Sequence, residues 1–458
     1  MIIPKNLLEK YNVPVPRYTS YPPANFFSES FSREEFRQSV IDSNHESPQN
    51  ISIYLHLPFC PQQCFYCGCN THISHNRDLM RSYVDALKKE IDRMQRLLDH
   101  TRKVSQIHLG GGTPNFLPVE YIGELIGQLK STFSLIDKPE IAIECNPANL
   151  DQHYIEQLIR FGFNRFSLGV QDFEDRVLKT VNREIPHIPI DELTRMIKSN
   201  EGTSVNLDFI YGLPYQTKES FIRNIEKALE IRSDRMVTFS YAHVPWFKSA
   251  QKILEKSGLP NADQKLEMFG ASWSMLKGSG YVPIGLDHYA LETDELSIAL
   301  KNRKLHRNFQ GYCTRETTGQ VYAFGSTSIS QMESAYAQNV HTVESYIETI
   351  NRGELATEKG YKLSVKEKIT RHIINEIMCN QYLSLNETAN AFGITVGELK
   401  NQIPFQESQL EAFHNDGLLD FNGDELHVSE TGRFFMRNIA ATFDSQVATP
   451  DKKFSKAV

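Results

Sequence analysis

The sequence predicts an α/β chain: a partial or full parallel βα barrel with an extended amino-terminal arm and a mainly helical, winged-helix-like carboxyl-terminal domain. Three observations predict it. Short β-branched and aromatic runs alternate with amphipathic helical stretches from residue 51 onward. Glycines and hydrogen-bond acceptors recur where each run ends, which is where βα barrels carry their chemistry. Beyond residue 364 the pattern changes to helix-capping signals followed by a hairpin signal.

Residues 1–40 hold Pro14, Pro16, Arg17, Tyr18, Tyr21, Pro22 and Pro23 without a sustained period, and read as an extended arm over the active site. Residues 41–363 read as the barrel. Its first strand is expected over Ile51 to Leu57, followed by a helix carrying Met80, Val84, Leu87, Ile91, Met94 and Leu98 at three- and four-residue spacing. Further strands are expected over Val104 to Leu109, Glu140 to Cys145, Arg165 to Val170, Val205 to Ile210 and Met236 to Tyr241. Each is separated from the next by enough chain for a crossover helix. Residues 364–458 read as the helical domain, opened by the capping box Ser364-Val-Lys-Glu367. Ser384-Leu-Asn-Glu387 and Thr395-Val-Gly-Glu398 repeat the device, and Asn422-Gly423 marks a hairpin.

Composition narrows the class. The chain has 458 residues, 40% of them apolar, a formal net charge of −7, and no run near the roughly 18 apolar residues a membrane span needs. No leader is expected, since the opening Met-Ile-Ile-Pro-Lys-Asn-Leu-Leu lacks a long apolar core. Seven cysteines, three of them scattered as Cys145, Cys313 and Cys379, suit a reducing, cytoplasmic setting. Residues 385–440 carry three Lys or Arg against nine Asp or Glu, so the winged-helix-like module is not expected to bind nucleic acid.

Four cysteines fall within ten residues after the first strand: Cys60-Pro-Gln-Gln-Cys64-Phe-Tyr-Cys67-Gly-Cys69. Three thiolates so closely spaced on a loop suit a cube of iron and sulfur with one iron left open. A structural zinc site is the alternative, although zinc knuckles use two separated pairs. At the later strand ends stand Gly110-Gly-Gly-Thr113-Pro114, Glu144, Gly169-Val-Gln171-Asp172, Asp208 to Pro214 and Ala242-His243. Missing side chains at the glycines allow close approach of a cofactor, and Glu144 suits an ammonium or ribose hydroxyls. His56, His108, His243, His288 and His306 read as polar core groups or as supports behind the site's ligands, not as metal ligands, since no pair has metal-ligand spacing.

The spacing Cys60-x-x-x-Cys64-x-x-Cys67 resembles that of radical S-adenosylmethionine (SAM) enzymes. Combined with Tyr54-x-His56-x-Pro58-Phe59, Gly-Gly-Gly-Thr-Pro, Leu168-Gly-Val-Gln-Asp-Phe173, Val181-Asn-Arg-Glu184, Ile210-Tyr-Gly-Leu-Pro214, Tyr241-Ala-His243, His306-Arg-Asn-Phe-Gln310-Gly-Tyr312 and Pro16-Arg-Tyr-Thr-Ser-Tyr-Pro22, the chain resembles the oxygen-independent coproporphyrinogen III oxidases.

The resemblance implies a radical SAM type of barrel and a [4Fe–4S] cluster on Cys60, Cys64 and Cys67, with Cys69 outside the ligand set. It implies two SAM molecules. The first would meet Tyr54, Gly111, Glu144 and Ile329, with SAM's amino and carboxylate groups on the open iron. The second would meet Tyr66, Gly112, Thr113, Gln171, Arg183, Asp208 and Ala242. Tyr66 departs from a Phe in the family, and Cys145-Asn146 from a Val-Asp pair. Phe309 and Gln310 would line the active site.

The implied reaction is oxidative decarboxylation of the ring A and B propionates of coproporphyrinogen III to vinyl groups. A 5′-deoxyadenosyl radical would drive it, and a carrier such as flavodoxin or ferredoxin would supply electrons. Arg17 and Arg307 are candidates for the substrate carboxylates. A monomer is expected. The rival readings are a haem-binding transfer chaperone of the same superfamily, a haem-opening radical SAM methyltransferase and a zinc-stabilised binding protein.

Overall fold

Runs rich in β-branched and aromatic residues form a parallel ladder, each strand returning through a helix that covers one face of the sheet. In the computed structural model, which describes residues 4–314 and 319–447, six strands pair in chain order and all in parallel: β1 (Ile51–Leu57), β2 (Val104–Gly111), β3 (Leu135–Cys145), β4 (Arg165–Gln171), β5 (Ser204–Tyr211) and β6 (Arg235–Ser240). Beyond β6 the sheet is extended by β7 (Tyr281–Ile284) and β8 (His288–Leu291), with β8 antiparallel to both neighbours. On the other side, β9 (Val321–Phe324) runs parallel to β1. It is followed outward by the antiparallel β10 (Ile329–Gln331), β11 (Ala335–Asn339) and β12 (Thr357–Lys362).

The 12-stranded sheet has β12 and β7 as its two ends among the described residues. Of the partial and full barrels that the sequence allows, the partial one therefore forms. Short antiparallel strands at both ends replace the remaining βα units.

The strands at the centre are two-sided. In β4 the side chains alternate, with Phe166, Leu168 and Val170 buried and Arg165, Ser167, Gly169 and Gln171 half-buried. β5 repeats this, with Val205, Leu207 and Phe209 buried and Asn206 and Asp208 half-buried. The apolar set belongs to the continuous core beneath the helices, where the helix Arg77–Gln95 contributes Met80, Val84, Leu87, Ile91 and Met94. The polar set faces the barrel's interior, where it lines cavities.

The amino-terminal arm departs from an all-extended reading, because Lys5–Tyr11 and Arg33–Ser43 are helices. The second begins at a capping box: the Glu35 N–H donates to Ser32 Oγ at 3.1 Å while Glu35 Oε2 accepts from the Ser32 N–H at 2.7 Å. It runs past residue 40, so the arm and the barrel share this helix. Between the helices Ser28 bridges Gly360 of β12, and the carboxyl-terminal domain supplies partners for the backbone nearer the first helix. Arg437 donates to the carbonyls of Pro16 and Val15, Asn438 Nδ2 donates to Tyr11 O at 2.8 Å, and Tyr18 Oη donates to Asp444 at 3.0 Å.

That carboxyl-terminal domain starts with the helix Val365–Asn375 on the Ser364–Glu367 capping box. Three short helices follow, Leu385–Ala391, Val396–Gln402 and Glu407–Asn415. The sheet of β13 (Tyr382–Ser384), β14 (Leu419–Phe421) and β15 (Glu425–Val428) completes it, with the turn between β14 and β15 at Asn422-Gly423. The winged-helix-like reading holds. No helix among the described residues is long and apolar enough to cross a membrane.

Candidate active site

The cysteine loop leaves the carboxyl end of β1 and is closed at its base. Phe59–Cys60 pairs in parallel with His72–Ile73, so the loop springs from a short ladder. Cys60, Cys64, Cys67 and Cys69 then line one cavity. Tyr66, Gly111, Gly112, Thr113, Glu144, Gln171, Arg183 and Asp208 line the same cavity, and Cys60, Cys64, Cys67 and Cys69 are not joined in disulfides.

Burial pushes the Cys60 thiol up to about 12, against the pull of the Thr113 hydroxyl 3.3 Å from its sulfur. Cys64 is raised by burial too, opposed by the Arg183 guanidinium. Cys67 is held down to about 6, first by the hydrogen bond from Cys69. Because metal binds thiolate, loading this loop must release protons. Among the described residues no group of three or more His, Cys, Asp or Glu side chains surrounds a single-ion position. A four-iron cube presents separate irons to separate thiolates, so three thiols spread along one wall fit it.

The glycine turn after β2 is dictated by backbone crowding. Gly112 donates to Leu57 O at 2.9 Å, and a Cβ there would lie 2.4 Å from Pro58 O. Gly111 has φ +114°, a conformation that L side chains rarely adopt. Its N–H donates to Glu144 Oε2 at 3.2 Å, and His108 Nε2 lies 3.0 Å from Glu144 Oε1. Burial acts to raise the Glu144 carboxyl, but His108 and the Gly111 N–H outweigh it and hold the group below its ordinary value. Burial likewise opposes His108⁺, and Glu144 overrides it, so the imidazole is raised. Glu144 is thus an ionised acceptor on the cavity wall.

In the same cavity Arg183 Nη2 donates to Gly169 O at 2.7 Å, and its Nη1 lies 3.9 Å from Cys64 Sγ. Gln171 has a positive φ of 69°, and its buried Oε1 has no hydrogen-bond partner. A buried acceptor without a donor, facing a cavity, fits a ligand that brings one. Asp208 accepts from Ser167 Oγ at 2.7 Å and Asn206 Nδ2 at 2.8 Å, and burial raises its carboxyl to about 6.

Known proteins match this arrangement along almost its whole length. The Radical SAM superfamily matches residues 54–228 and the HemN C-terminal domain matches residues 363–435. An oxygen-independent coproporphyrinogen III oxidase of Synechocystis is 39% identical over 99% of this chain and 97% of its own. That of Escherichia coli is 36% identical over 96% of this chain and 94% of its own. The solved structure of the Escherichia coli coproporphyrinogen III oxidase, a radical SAM enzyme, superposes with a TM-score of 0.88, at 35% identity, covering 94% of this chain and 97% of that one.

The chain belongs to the oxygen-independent coproporphyrinogen III oxidase family. As a radical SAM oxidoreductase it uses a [4Fe–4S] cluster and SAM.

A second cavity of this oxidase adjoins the first through Cys69, Glu144, Ser167 and Asp208 and extends to His288, Gln310 and Tyr312. Other residues singled out in the sequence stand back from both. Tyr54 lies beside His108, ring centroids 5.8 Å apart, with its hydroxyl 3.2 Å from His56 Nδ1. Phe309 and Ile329 pack in one apolar cluster with Phe27 of the arm. Arg307 reaches Tyr312 Oη at 3.3 Å, behind the second cavity's wall. Arg17 is exposed and its charge acts on Asp287 and Lys265. Of the five histidines, His108 and His288 line the second cavity, where His108 supports Glu144 at 3.0 Å.

Ser167, Asn206 and Gln251 escaped sequence reasoning. Gln251 is buried in the 3₁₀ helix Ser249–Ser257 and bridges two cavity loops. It donates to Tyr66 O at 3.1 Å and Ala242 O at 3.2 Å and accepts from the Val244 N–H at 2.6 Å. This bridge ties Ala242 to the cysteine loop. Gln251→Leu would orphan three backbone groups at about 1–3 kcal/mol each where water cannot replace the amide. A lowered melting temperature and weaker SAM binding are expected, read by calorimetry on the same sample.

Proposed function

We propose that this chain converts coproporphyrinogen III to protoporphyrinogen IX in the cytoplasm, turning the propionates of rings A and B into vinyl groups with loss of carbon dioxide. The observation that carries the reading is the single cavity onto which Cys60, Cys64, Cys67, the Gly111–Thr113 turn, Glu144 and Arg183 converge. Relatives over the full length bear the name of this oxidase.

In this reading Cys60, Cys64 and Cys67 hold the cluster. Tyr54, Gly111, Glu144 and Ile329 serve the first SAM; Tyr66, Gly112, Thr113, Gln171, Arg183, Asp208 and Ala242 serve the second. When bound, the cluster and SAM supply a 5′-deoxyadenosyl radical by one-electron reductive cleavage. A radical is needed because a propionate β-hydrogen is not acidic enough for a side-chain base. Glu144, kept ionised by His108, accepts from SAM's ammonium or ribose hydroxyls. Arg183 brings positive charge to the second SAM's carboxylate, and Asp208 and Gln171 accept from its donors.

Gln310 borders the substrate, which enters the second cavity, and Phe309 packs behind it in the apolar cluster with Phe27. Its four carboxylates call for cations, and Arg17 on the arm and Arg307 behind Tyr312 are the two proposed. The Arg17→Ala, Arg307→Ala double variant should raise the KM for coproporphyrinogen III at least about tenfold, the effect of losing one charge-assisted hydrogen bond. An unchanged KM would remove both from this role. The chain acts as a monomer and draws electrons from a low-potential carrier protein.

The overall test is anaerobic incubation with dithionite, SAM and coproporphyrinogen III. Vinyl product and 5′-deoxyadenosine should appear together, with two molecules of the nucleoside for each protoporphyrinogen IX. Cleavage of SAM without vinyl product would place the chain in another branch of the superfamily.

A further inference from the structure

The segment after β6 leaves apolar surface in water. Trp246 is 81% exposed, Phe247 75% and Ile253 49%. None of the three lines either cavity among the described residues, so contact with substrate or SAM does not account for them. Isolated exposed apolar residues are ordinary, but two adjacent aromatics with an isoleucine close by mark a contact surface, and aromatics are enriched in such surfaces.

Its charge is distinctive as well. Lys248, Lys252 and Lys256 lie within the same stretch, whose one acidic residue, Glu255, faces His243 Nε2 at 3.2 Å. This is a local basic excess on a chain of net charge −7. An apolar centre with a basic rim complements an apolar centre ringed by carboxylates.

The surface is also tied to the cysteine loop. Lys248 Nζ donates to Cys69 O at 2.9 Å, and Gln251 Nε2 donates to Tyr66 O at 3.1 Å. A partner seated here would be one hydrogen-bonded step from the backbone that carries Cys64 and Cys67. Electron delivery is the service such a position offers.

We propose that Trp246, Phe247 and Ile253, rimmed by Lys252 and Lys256, form the docking surface for a small acidic flavin-carrying electron-transfer protein. The exposed edge of a flavin is an apolar ring system, which suits the aromatic pair, and carboxylates around it would face the lysines. In the step served, the reduced flavin carrier loses one electron and the oxidised cluster gains it, with no bond made or broken. The inference rests on the radical SAM reading given under the proposed function.

The test uses the reconstituted holoenzyme with two double variants, Trp246→Ser with Phe247→Ser, and Lys252→Glu with Lys256→Glu. Affinity for a flavodoxin is measured by titration calorimetry at several salt concentrations. SAM cleavage is followed with the flavodoxin system and, separately, with dithionite. Both variants should bind flavodoxin at least about tenfold more weakly, and the lysine variant should lose most of the salt dependence. Flavodoxin-driven cleavage should fall in parallel while dithionite-driven cleavage stays at the wild-type rate.

Wild-type flavodoxin affinity in both variants would overturn the proposal. So would wild-type flavodoxin-driven cleavage in both variants. Failure of wild-type cleavage with dithionite would strike the proposed function instead, and the calorimetry would still decide the docking surface.

Discussion

Replacing Cys60, Cys64 or Cys67 by alanine, one at a time, is expected to abolish iron–sulfur loading and with it all formation of 5′-deoxyadenosine, whereas Cys69→Ala keeps both. The four thiols line the same cavity, so proximity alone does not distinguish them. The difference lies in attachment. Cys60 sits on the short ladder with Ile73, and Cys64 lies beside Arg183, so each has a fixed place on the wall. Cys69 supports Cys67 by hydrogen bonding and is itself pushed well up, first by that bond and then by burial. Changes to groups that merely support metal ligands cost about 10–100-fold in metal affinity. Loss of a ligand from a set of three should exceed that. Iron and sulfide content per chain after anaerobic reconstitution, with absorbance near 400 nm, provides the check. A Cys69→Ala protein without iron, or a Cys67→Ala protein with a full complement, would reassign the ligands.

The sequence made the parallel strands legible because each combines a β-branched or aromatic run with an abrupt glycine or acceptor at its end. Capping boxes made the helical domain legible in the same way: Ser364 with Glu367 and Thr395 with Glu398 form reciprocal bonds. The arm hid its second helix because that helix buries little apolar surface, chiefly Phe36 and Val40. Ser32-x-x-Glu35 was the signal available. Tyr54 and Ile329 show the limit of a motif, which gives a position along the chain and not the depth at which the side chain lies.

The interior of the barrel was also written in the chain, in a form easily passed over. Strands buried on both faces read as continuous apolar runs. Arg165-Phe-Ser-Leu-Gly-Val-Gln171 and Ser204-Val-Asn-Leu-Asp208 alternate strictly instead, so one face had to be wet. That alternation singles out Ser167 and Asn206, both of which hydrogen-bond within the Asp208 cluster. Gln251 carried no such signal. One of its partners, the Tyr66 carbonyl, belongs to a residue distant in sequence, and only the folded chain brings the two together.

Glu144→Gln is expected to weaken SAM binding by about tenfold, since a hydrogen bond to a charged group contributes about 1.5–3 kcal/mol and the Glu144 side chain, 43% exposed, is partly screened by water. Glutamine keeps the shape and loses the charge, so it separates electrostatics from packing. The substitution also releases His108. With Glu144 gone, burial is opposed only by the weaker pull of Glu140 and Asp208, and the imidazole's proton should come off at lower pH than in the wild type.

Stability should report the same pair. Glu144 is held below its ordinary value of 4.5, so its contribution is present above that pH and is lost as pH falls through its folded value. His108 is raised above 6.5, so its contribution is complete below that pH and is lost as pH rises through its folded value. The two overlap between pH 4.5 and 6.5. The melting-temperature difference between wild type and Glu144→Gln should therefore be greatest in this window and shrink on both sides. Thermal denaturation of the metal-free proteins across pH 4 to 9 measures it without any contribution from the cluster. A difference independent of pH would mean that Glu144 and His108 are not ionised together in the folded chain.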